Sequence, residues 1–214
     1  MNKNLTFYFI RHGRTIWNEQ GLMQGSGNSD LTQEGIQGAI LTGNALKEIP
    51  FSVVYTSCLQ RTIDTAKHIL AERKIPIFQH QGLNEHSFGD WEGQKIDKVR
   101  EFDEFQQMIN DPTNYKALSN NGETWEELAI RAMNAIQDII QIHHQGNILI
   151  VSHGHTLRLL LSLLSGYSWQ EHREENKSQP LRNTSISVVH YHQKEGEKCG
   201  QFFIEKINDT AHLD

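Results

Sequence analysis

The 214-residue chain has only two cysteines, Cys58 and Cys199, and they do not form a Cys-x-x-Cys pair. This scarcity excludes a disulfide framework and predicts reduced thiols in the cytoplasm. Proline is also scarce, with four residues in the whole chain. Because no low-complexity tract or linker divides the sequence, we predict one domain over residues 1–214.

Long apolar runs and an excess of basic charge are also missing. No segment approaches the roughly 18 apolar residues of a membrane span, and the apolar run near the N-terminus is too short for a signal peptide. The formal net charge is −6 and the isoelectric point is about 6.0. We therefore expect neither nucleic acid nor a membrane as partner. An acidic chain that binds an anion must concentrate its positive charge locally.

Apolar runs of strand type alternate with helical patterns along the chain. The predicted strands are residues 7–10, 51–56, 75–78, 147–151, 185–192 and 201–207. The predicted helices are residues 32–47, 58–72, 95–109, 124–144 and 156–164, with Thr32 and Ser57 as N-cap candidates. This alternation predicts a three-layer α/β fold in which helices flank a mainly parallel sheet.

The first predicted strand ends at Arg11-His12-Gly13-Arg14. Arginine side chains bind phosphate oxygens bidentately, and positive charge beside a histidine lowers its pKa. A neutral imidazole next to arginines is suited to attack a bound anion, and the glycine lets backbone N–H groups approach a ligand. The alternative is a strand end capped by solvated charges.

Two other predicted strands are also followed by an arginine or a histidine. The strand at 51–56 leads to Arg61 in the following helix, and the strand at 147–151 ends at His153-Gly154. In an open α/β sheet the ligand binds at the carboxyl ends of the strands. Together with the arginine and histidine of the first strand, these residues predict a cationic pocket for a phosphoryl group.

Such a pocket also needs a proton donor, because an alcohol leaves poorly as an alkoxide. The loop over residues 82–93 contains Glu85, His86 and Glu92. Glu85 is our candidate for the donor. We expect Glu92 to be a structural carboxylate, and His86 to be an exposed loop residue rather than part of the pocket.

These motifs, in this order, resemble those of the histidine phosphatase superfamily, which includes cofactor-dependent phosphoglycerate mutases and broad-specificity phosphatases. The segments that carry the resemblance are Arg11-His12-Gly13 with Asn18 downstream, Leu83-Asn84-Glu85, Gly89-Asp90-Trp91-Glu92-Gly93 and Ser152-His153-Gly154. The resemblance covers essentially the whole chain and is nearest to the broad-specificity phosphatases. It implies a phosphoglycerate mutase-like α/β/α fold.

The resemblance also implies a role for each residue of the predicted pocket. His12 would be the phosphorylated nucleophile, and Glu85 would be the general acid and base. The residues implied to hold the phosphoryl oxygens are Arg11, Arg61 and His153. The residues implied to bind the substrate are Gly13, Asn18, Gln24, Gly25 and Gly154. Many mutases of the family have threonine where this chain has Gln24.

Two neighbours of these motifs are expected to lie outside the reacting groups. Arg14 either adds positive charge at the rim of the pocket or is solvated. His155 is expected to support the residues that contact the substrate rather than to react.

Three functions are compatible with these residues. The first is a phosphomonoesterase that acts on small phosphorylated metabolites through a phosphohistidine and needs no cofactor. The second is a cofactor-dependent phosphoglycerate mutase; mutases of this family are typically longer and hold the substrate carboxylate with a paired Arg-Arg, which residues 93–122 lack. The third is a non-catalytic module that binds a phosphorylated ligand, which the intact histidine and glutamate motifs disfavour.

Twelve histidines raise the question of a metal site. His153 and His155 flank a glycine after a strand, but no His-Glu-x-x-His motif, finger spacing or aspartate cluster accompanies them. We therefore predict no metal. The oligomeric state stays open, with a homodimer as the assembly to test.

Overall fold

The computed structural model describes residues 1–214. Its six strands are β1 Lys3–Arg11, β2 Phe51–Thr56, β3 Ile77–Gln79, β4 Gln145–Ser152, β5 Ile186–Gln193 and β6 Gln201–Asp209. They form one sheet in the order β3-β2-β4-β1-β5-β6. Strands β3, β2, β4 and β1 pair in parallel, whereas β5 is antiparallel to both of its neighbours. The mainly parallel sheet predicted from the sequence is confirmed.

Seven α-helices accompany the sheet: α1 Ile16–Gln20, α2 Gln33–Ala45, α3 Gln60–Leu70, α4 Ile96–Val99, α5 Asp103–Asn110, α6 Trp125–Ile142 and α7 Gly154–Leu164. Thr32 caps α2 as predicted, since its hydroxyl accepts the Gly35 N–H at 3.0 Å. Ser57 does not cap α3, because that helix begins after Leu59. None of these helices is long and apolar enough to cross a membrane.

The single helix predicted over residues 95–109 is wrong. The structure has two short helices there, α4 and α5, on either side of an exposed turn at residues 100–102. Val99 and Phe105 are both buried in one apolar cluster with Trp91. On a continuous helix, six residues correspond to a rotation that places two side chains about 120° apart. The break between the helices lets both side chains reach the same cluster.

Alternate residues of the central strands pack against helices on opposite faces of the sheet. Phe7 and Ile148 belong to a core that includes residues of α6 and α7. Ile10 and Leu149 belong to a second core with residues of α2 and α3. Because both faces are covered, the central strands carry apolar runs such as residues 7–10 and 148–151, as is typical of parallel sheets.

The strand order brings the ends of β2, β4 and β1 to one edge of the sheet. Arg11 pairs in register with Ser152, and the His12 N–H donates to the Ser152 carbonyl at 2.9 Å. The Ser57 N–H donates to the Val151 carbonyl on the other side of β4. The three motifs that follow these strands are therefore neighbours in space.

Candidate active site

His12 lies directly after β1 with a side chain held in one orientation. It is only 3% exposed, and its Nδ1 lies 2.8 Å from the Gly13 carbonyl oxygen. Because a carbonyl can only accept a hydrogen bond, Nδ1 carries the proton of the neutral ring. The lone pair is therefore on Nε2, which is the atom available for nucleophilic attack.

The surroundings of His12 keep its imidazole neutral. Burial lowers the pKa of His12 well below its ordinary value, and the positive charges of Arg61 and Arg11 lower it further. The second cation near His12 is therefore Arg61, and not the adjacent Arg14 considered from the sequence. Arg14 forms a salt bridge of 2.6 Å with Glu34 on α2.

His153, at the end of β4, faces His12 with 5.2 Å between the ring centroids. Its Nε2 lies 2.8 Å from the Ser57 hydroxyl, so Ser57 orients this histidine instead of capping α3. Burial and the charge of Arg61 hold the pKa of His153 well below its usual value. The sequence motif predicted His153, but the contact with Ser57 follows only from the pairing of β2 with β4.

The two arginines of the predicted pocket are fixed by backbone carbonyls. Arg61 is 1% exposed and donates from Nη2 to Gly25 and from Nη1 to Gly27, both at 2.7 Å. Arg11 donates from Nη1 to the Leu181 carbonyl at 2.5 Å. Burial lowers the pKa of Arg61 to about 10, and the nearby negative charge of Glu85 partly offsets this effect. Both guanidinium groups remain positively charged at neutral pH.

Four buried nitrogen atoms of the predicted pocket have no hydrogen-bond partner: Arg11 Nε, Arg61 Nε, His153 Nδ1 and Gln24 Nε2. Leaving a buried polar group unpaired costs about 1–3 kcal/mol, so such groups need an explanation. All four belong to residues that the sequence motifs assign to phosphoryl or substrate binding. Their shared chemistry fits a ligand rich in acceptor oxygens.

Side-chain hydrogen bonds fix the orientation of the Gln24 and Asn18 amides. The hydroxyls of Thr15 and Ser29 both donate to Gln24 Oε1, at 2.8 and 2.9 Å. This arrangement directs the amide nitrogen of Gln24 away from both hydroxyls. Asn18 Oδ1 accepts the Thr15 N–H at 3.1 Å in a capping box, and both amides line the cavity described below.

The three glycines predicted to bind substrate lie in tight contact with their neighbours. The Gly13 N–H donates to the Thr65 hydroxyl at 2.9 Å, and its contact with a substrate stays a prediction. A Cβ at Gly25 would lie 2.5 Å from Glu92 Oε1, and the carbonyl of Gly25 holds Arg61. A Cβ at Gly154 would approach Arg11 Nε to 3.2 Å, so glycine leaves room for the guanidinium.

Glu85 is 7% exposed and its carboxylate lies at the N-terminus of α7. Oε1 accepts hydrogen bonds from the Thr156 N–H at 3.0 Å and from the Thr156 hydroxyl at 3.1 Å. Oε2 accepts the His155 N–H at 3.1 Å. A carboxylate oxygen has two lone-pair directions, so Oε2 can still hold a proton for a leaving group.

Arg131 of α6 fixes the loop that carries Glu85, and sequence analysis did not identify it. Its guanidinium donates to the carbonyls of Gly82, Asn84 and Glu85 at 2.8–3.0 Å. It also forms a bidentate salt bridge with Glu123, with contacts of 2.5 and 2.8 Å. No motif marks Arg131, because on a helical pattern it is one more polar residue.

We predict that Arg131→Met slows substrates with poor leaving groups by up to about 10²-fold, because misplacing a catalytic group by about 1 Å has such an effect. An activated aryl phosphate should be affected much less, and Arg131→Lys should recover part of the rate. The measurement is the dependence of the phosphorylation rate on leaving-group pKa.

Arg73→Met is the matched control for Arg131, since Arg73 also donates to backbone carbonyls, but those of Leu46 and Ile49 lie outside the loop that carries Glu85. It should lower stability without changing the leaving-group dependence. Equal behaviour of the two variants would show that Arg131 has only a structural role.

The structure agrees with the prediction for Glu92 and differs from the prediction for His86, the other two candidates in this loop. Glu92 accepts the N–H groups of Ser26, Gly27 and Phe88 at 2.7–3.1 Å, so it is the structural carboxylate expected. The prediction that His86 is exposed is wrong. His86 is fully buried and packs against Trp125, which lies 39 positions later in the sequence, with ring centroids 4.4 Å apart.

His86 begins a chain of hydrogen bonds whose directions the structure determines. His86 Nε2 donates to the Glu123 carbonyl at 2.6 Å, so its Nδ1 is an acceptor. His155 Nδ1 lies 3.2 Å from that acceptor and must donate. His155 Nε2 is consequently an acceptor, and it receives Arg173 Nη2 at 3.2 Å. The role of His155 as a supporting residue remains a prediction.

A cavity of about 500 Å³ opens beside Arg11, Asn18, Gln24, Glu85 and Gly154. The apolar part of its wall is formed by Leu22, Met23, Phe88, Ile96, Phe105, Ile109, Pro180 and Leu181. His12, Arg61 and His153 do not line this cavity and are almost fully buried. A substrate could therefore place its phosphoryl end inward and its alcohol part in the cavity.

Comparison with known proteins shows the family of this chain. The family model of the histidine phosphatase superfamily (branch 1) matches residues 7–202. A 2,3-bisphosphoglycerate-dependent phosphoglycerate mutase from Bartonella bacilliformis is 34% identical over 173 residues, which are 78% of this chain and 84% of that protein.

Solved structures show the same fold. Bacillus stearothermophilus YhfR has a TM-score of 0.87 at 30% identity, covering 98% of this chain and 100% of that chain. The alpha-ribazole phosphatase from Shigella flexneri has a TM-score of 0.78 at 27% identity, covering 95% of this chain and 97% of that chain. These similarities confirm the phosphoglycerate mutase-like fold.

Proposed function

Because this chain belongs to branch 1 of the histidine phosphatase superfamily, we propose that it is a phosphomonoesterase that acts through a phosphohistidine on His12. The observation that carries the proposal is the set of unpartnered buried nitrogens of Arg11, Arg61, His153 and Gln24 around a neutral histidine. Its two free, exposed cysteines fit a reducing compartment, and we propose the cytoplasm as its location.

In the first step, His12 Nε2 attacks phosphorus in line with the leaving alcohol. The N–P bond forms while the P–O bond to the alcohol breaks, and Glu85 gives its proton to the departing oxygen. The guanidinium groups of Arg11 and Arg61 and the ring of His153 stabilise the charge on the three remaining phosphoryl oxygens. These donors are in position before the substrate binds, because backbone carbonyls and Ser57 hold them.

In the second step, water enters where the alcohol has left. Glu85, now ionised, takes a proton from the water as its oxygen attacks phosphorus. The P–N bond breaks, the electron pair returns to Nε2, and inorganic phosphate leaves. His12 keeps its Nδ1 proton throughout, since the Gly13 carbonyl accepts it.

The mutase activity is the second candidate, and the similarity to phosphoglycerate mutases supports it. A mutase must keep the phosphorylated intermediate from water until the phosphoryl group returns to the substrate. In this chain the segment over residues 93–122 contributes a single arginine, Arg100, to the cavity, and the rest of its contribution is Gln106 and apolar side chains. The lack of a paired arginine there favours the phosphatase.

A panel of phosphorylated metabolites tests the choice between these activities. We expect release of inorganic phosphate in excess EDTA, with inhibition by vanadate, which mimics five-coordinate phosphorus. Incubation with 3-phosphoglycerate should release phosphate whether or not 2,3-bisphosphoglycerate is added. Formation of 2-phosphoglycerate that depends on the bisphosphate would favour the mutase, and activity restored by a divalent ion after chelation would favour a metallophosphatase.

A further inference from the structure

Arg173 follows α7 and lines the same cavity as Glu85 and Arg11. Its guanidinium lies over the Trp125 ring, 5.0 Å from the centroid, and donates to His155 Nε2 at 3.2 Å. Its Nε is buried without a hydrogen-bond partner. Stacking and one hydrogen bond therefore hold the group in place while one donor stays unused.

Arg173 forms no salt bridge, and the negative charge that acts on it is that of Glu85, which lines the same cavity. The hydrogen-bond chain through His86 makes His155 a neutral acceptor, and burial holds the pKa of His155 well below its ordinary value. No carboxylate forms a salt bridge with Arg173. A partly buried cation without a salt-bridge partner is costly, and a bound anion would supply the missing contact.

Arg158 brings a second cation without a salt bridge to the same cavity. It lies on α7 and donates from Nε to the Ser178 hydroxyl at 2.7 Å, and no carboxylate pairs with it. Burial lowers the pKa of Arg173 to about 9, and the charge of Arg158 is the next largest cause. The protein thus keeps two mutually repelling guanidinium groups together beside the candidate active site.

We propose that Arg158 and Arg173 form a second anion subsite, and that the substrate is a phosphate monoester carrying a carboxylate. This inference rests on the proposed function. Gly154 lies against Arg11, and Arg158 follows it by about one helical turn, or about 6 Å along α7. The carboxylate is therefore separated from phosphorus by a short chain, which packs against the apolar wall of the cavity.

The test compares two esters that differ only at the end away from phosphorus: 3-phosphoglycerate, with a carboxylate, and glycerol 3-phosphate, with a hydroxymethyl group. The wild-type protein should prefer 3-phosphoglycerate by about tenfold or more in kcat/KM, since hydrogen bonds between charged groups are among the stronger ones. Arg173→Gln should lower kcat/KM for 3-phosphoglycerate by about 10–100-fold and for glycerol 3-phosphate by less than about threefold. Arg158→Gln should act in the same direction.

Retained turnover of glycerol 3-phosphate shows that these variants are folded. Arg182→Gln is the matched control, because Arg182 is exposed, pairs with Asp214 and does not line this cavity. Equal losses for both esters, or no preference in the wild-type protein, would overturn the subsite while leaving the phosphatase in place. If no monoester released phosphate, the proposed function would fail, and calorimetric titration with the same two esters would still test the subsite.

Discussion

Replacing His12 with alanine is expected to remove turnover, by about 10⁴-fold or more, together with the acid-labile phosphoenzyme. His12 Nε2 carries an imidazole lone pair without a partner beside the charges of Arg61 and Arg11. His153, the neighbouring ring, has its Nε2 occupied by Ser57. The phosphoenzyme is measured by quenched-flow mixing with a labelled substrate, followed by mapping of the label.

Thermal unfolding distinguishes a lost nucleophile from a lost fold in the His12 variant. His12 makes one side-chain hydrogen bond, to the carbonyl of the next residue, so we expect the variant to unfold in a single transition like the wild-type protein. His144→Ala is the control, because His144 is exposed at the end of the segment before β4. Label found on His153 or on a serine would remove His12 as the nucleophile.

The residues that sequence analysis placed correctly are those fixed by the ends of strands. His12 and His153 follow apolar runs that are buried on both faces of the sheet, and the carboxyl ends of parallel strands meet at one edge. Their proximity follows from this topology without any knowledge of side-chain contacts. The ring centroids are 5.2 Å apart because β1 and β4 are adjacent.

The residues that sequence analysis misplaced or did not identify depend on contacts between distant segments. His86 lies in a loop without periodicity, and its burial results from Trp125 and the Glu123 carbonyl. Arg131 looks like an exposed helix residue until the Glu85 loop folds over it. No local pattern contains this information, since it arises when residues 82–93 pack on α6.

Arg173, which sequence analysis did not consider, also depends on contacts that form only in the folded chain. In the sequence Arg173 lies between two acidic residues, Glu171 and Glu174. In the structure Lys177 takes both of those carboxylates, and Arg173 turns to the cavity instead. Charge counts along the chain therefore conceal a cationic site that the fold creates.

Changing Glu85 to glutamine should slow substrates with poor leaving groups by about 10²–10⁴-fold, the usual effect of losing a general acid. Glutamine retains an oxygen that can accept from Thr156, but it cannot donate a proton to the departing alcohol. An activated aryl phosphate needs little protonation of its leaving group, so its phosphorylation should be affected much less. Single-turnover phosphorylation is the proper measurement, because Glu85 is also proposed to serve the later hydrolysis.

Two checks make the Glu85 result decisive. Thermal unfolding of the variant is needed, because the new amide NH₂ would replace the oxygen that accepts the His155 N–H. Glu126→Gln, at an exposed position of α6, should leave both substrate types unchanged. If both substrate types slow equally in the phosphorylation step, Glu85 is not the acid that protonates the leaving group. Glu92 would not easily replace it, since three N–H groups already occupy its carboxylate, and the proton would then have to come from water in the cavity.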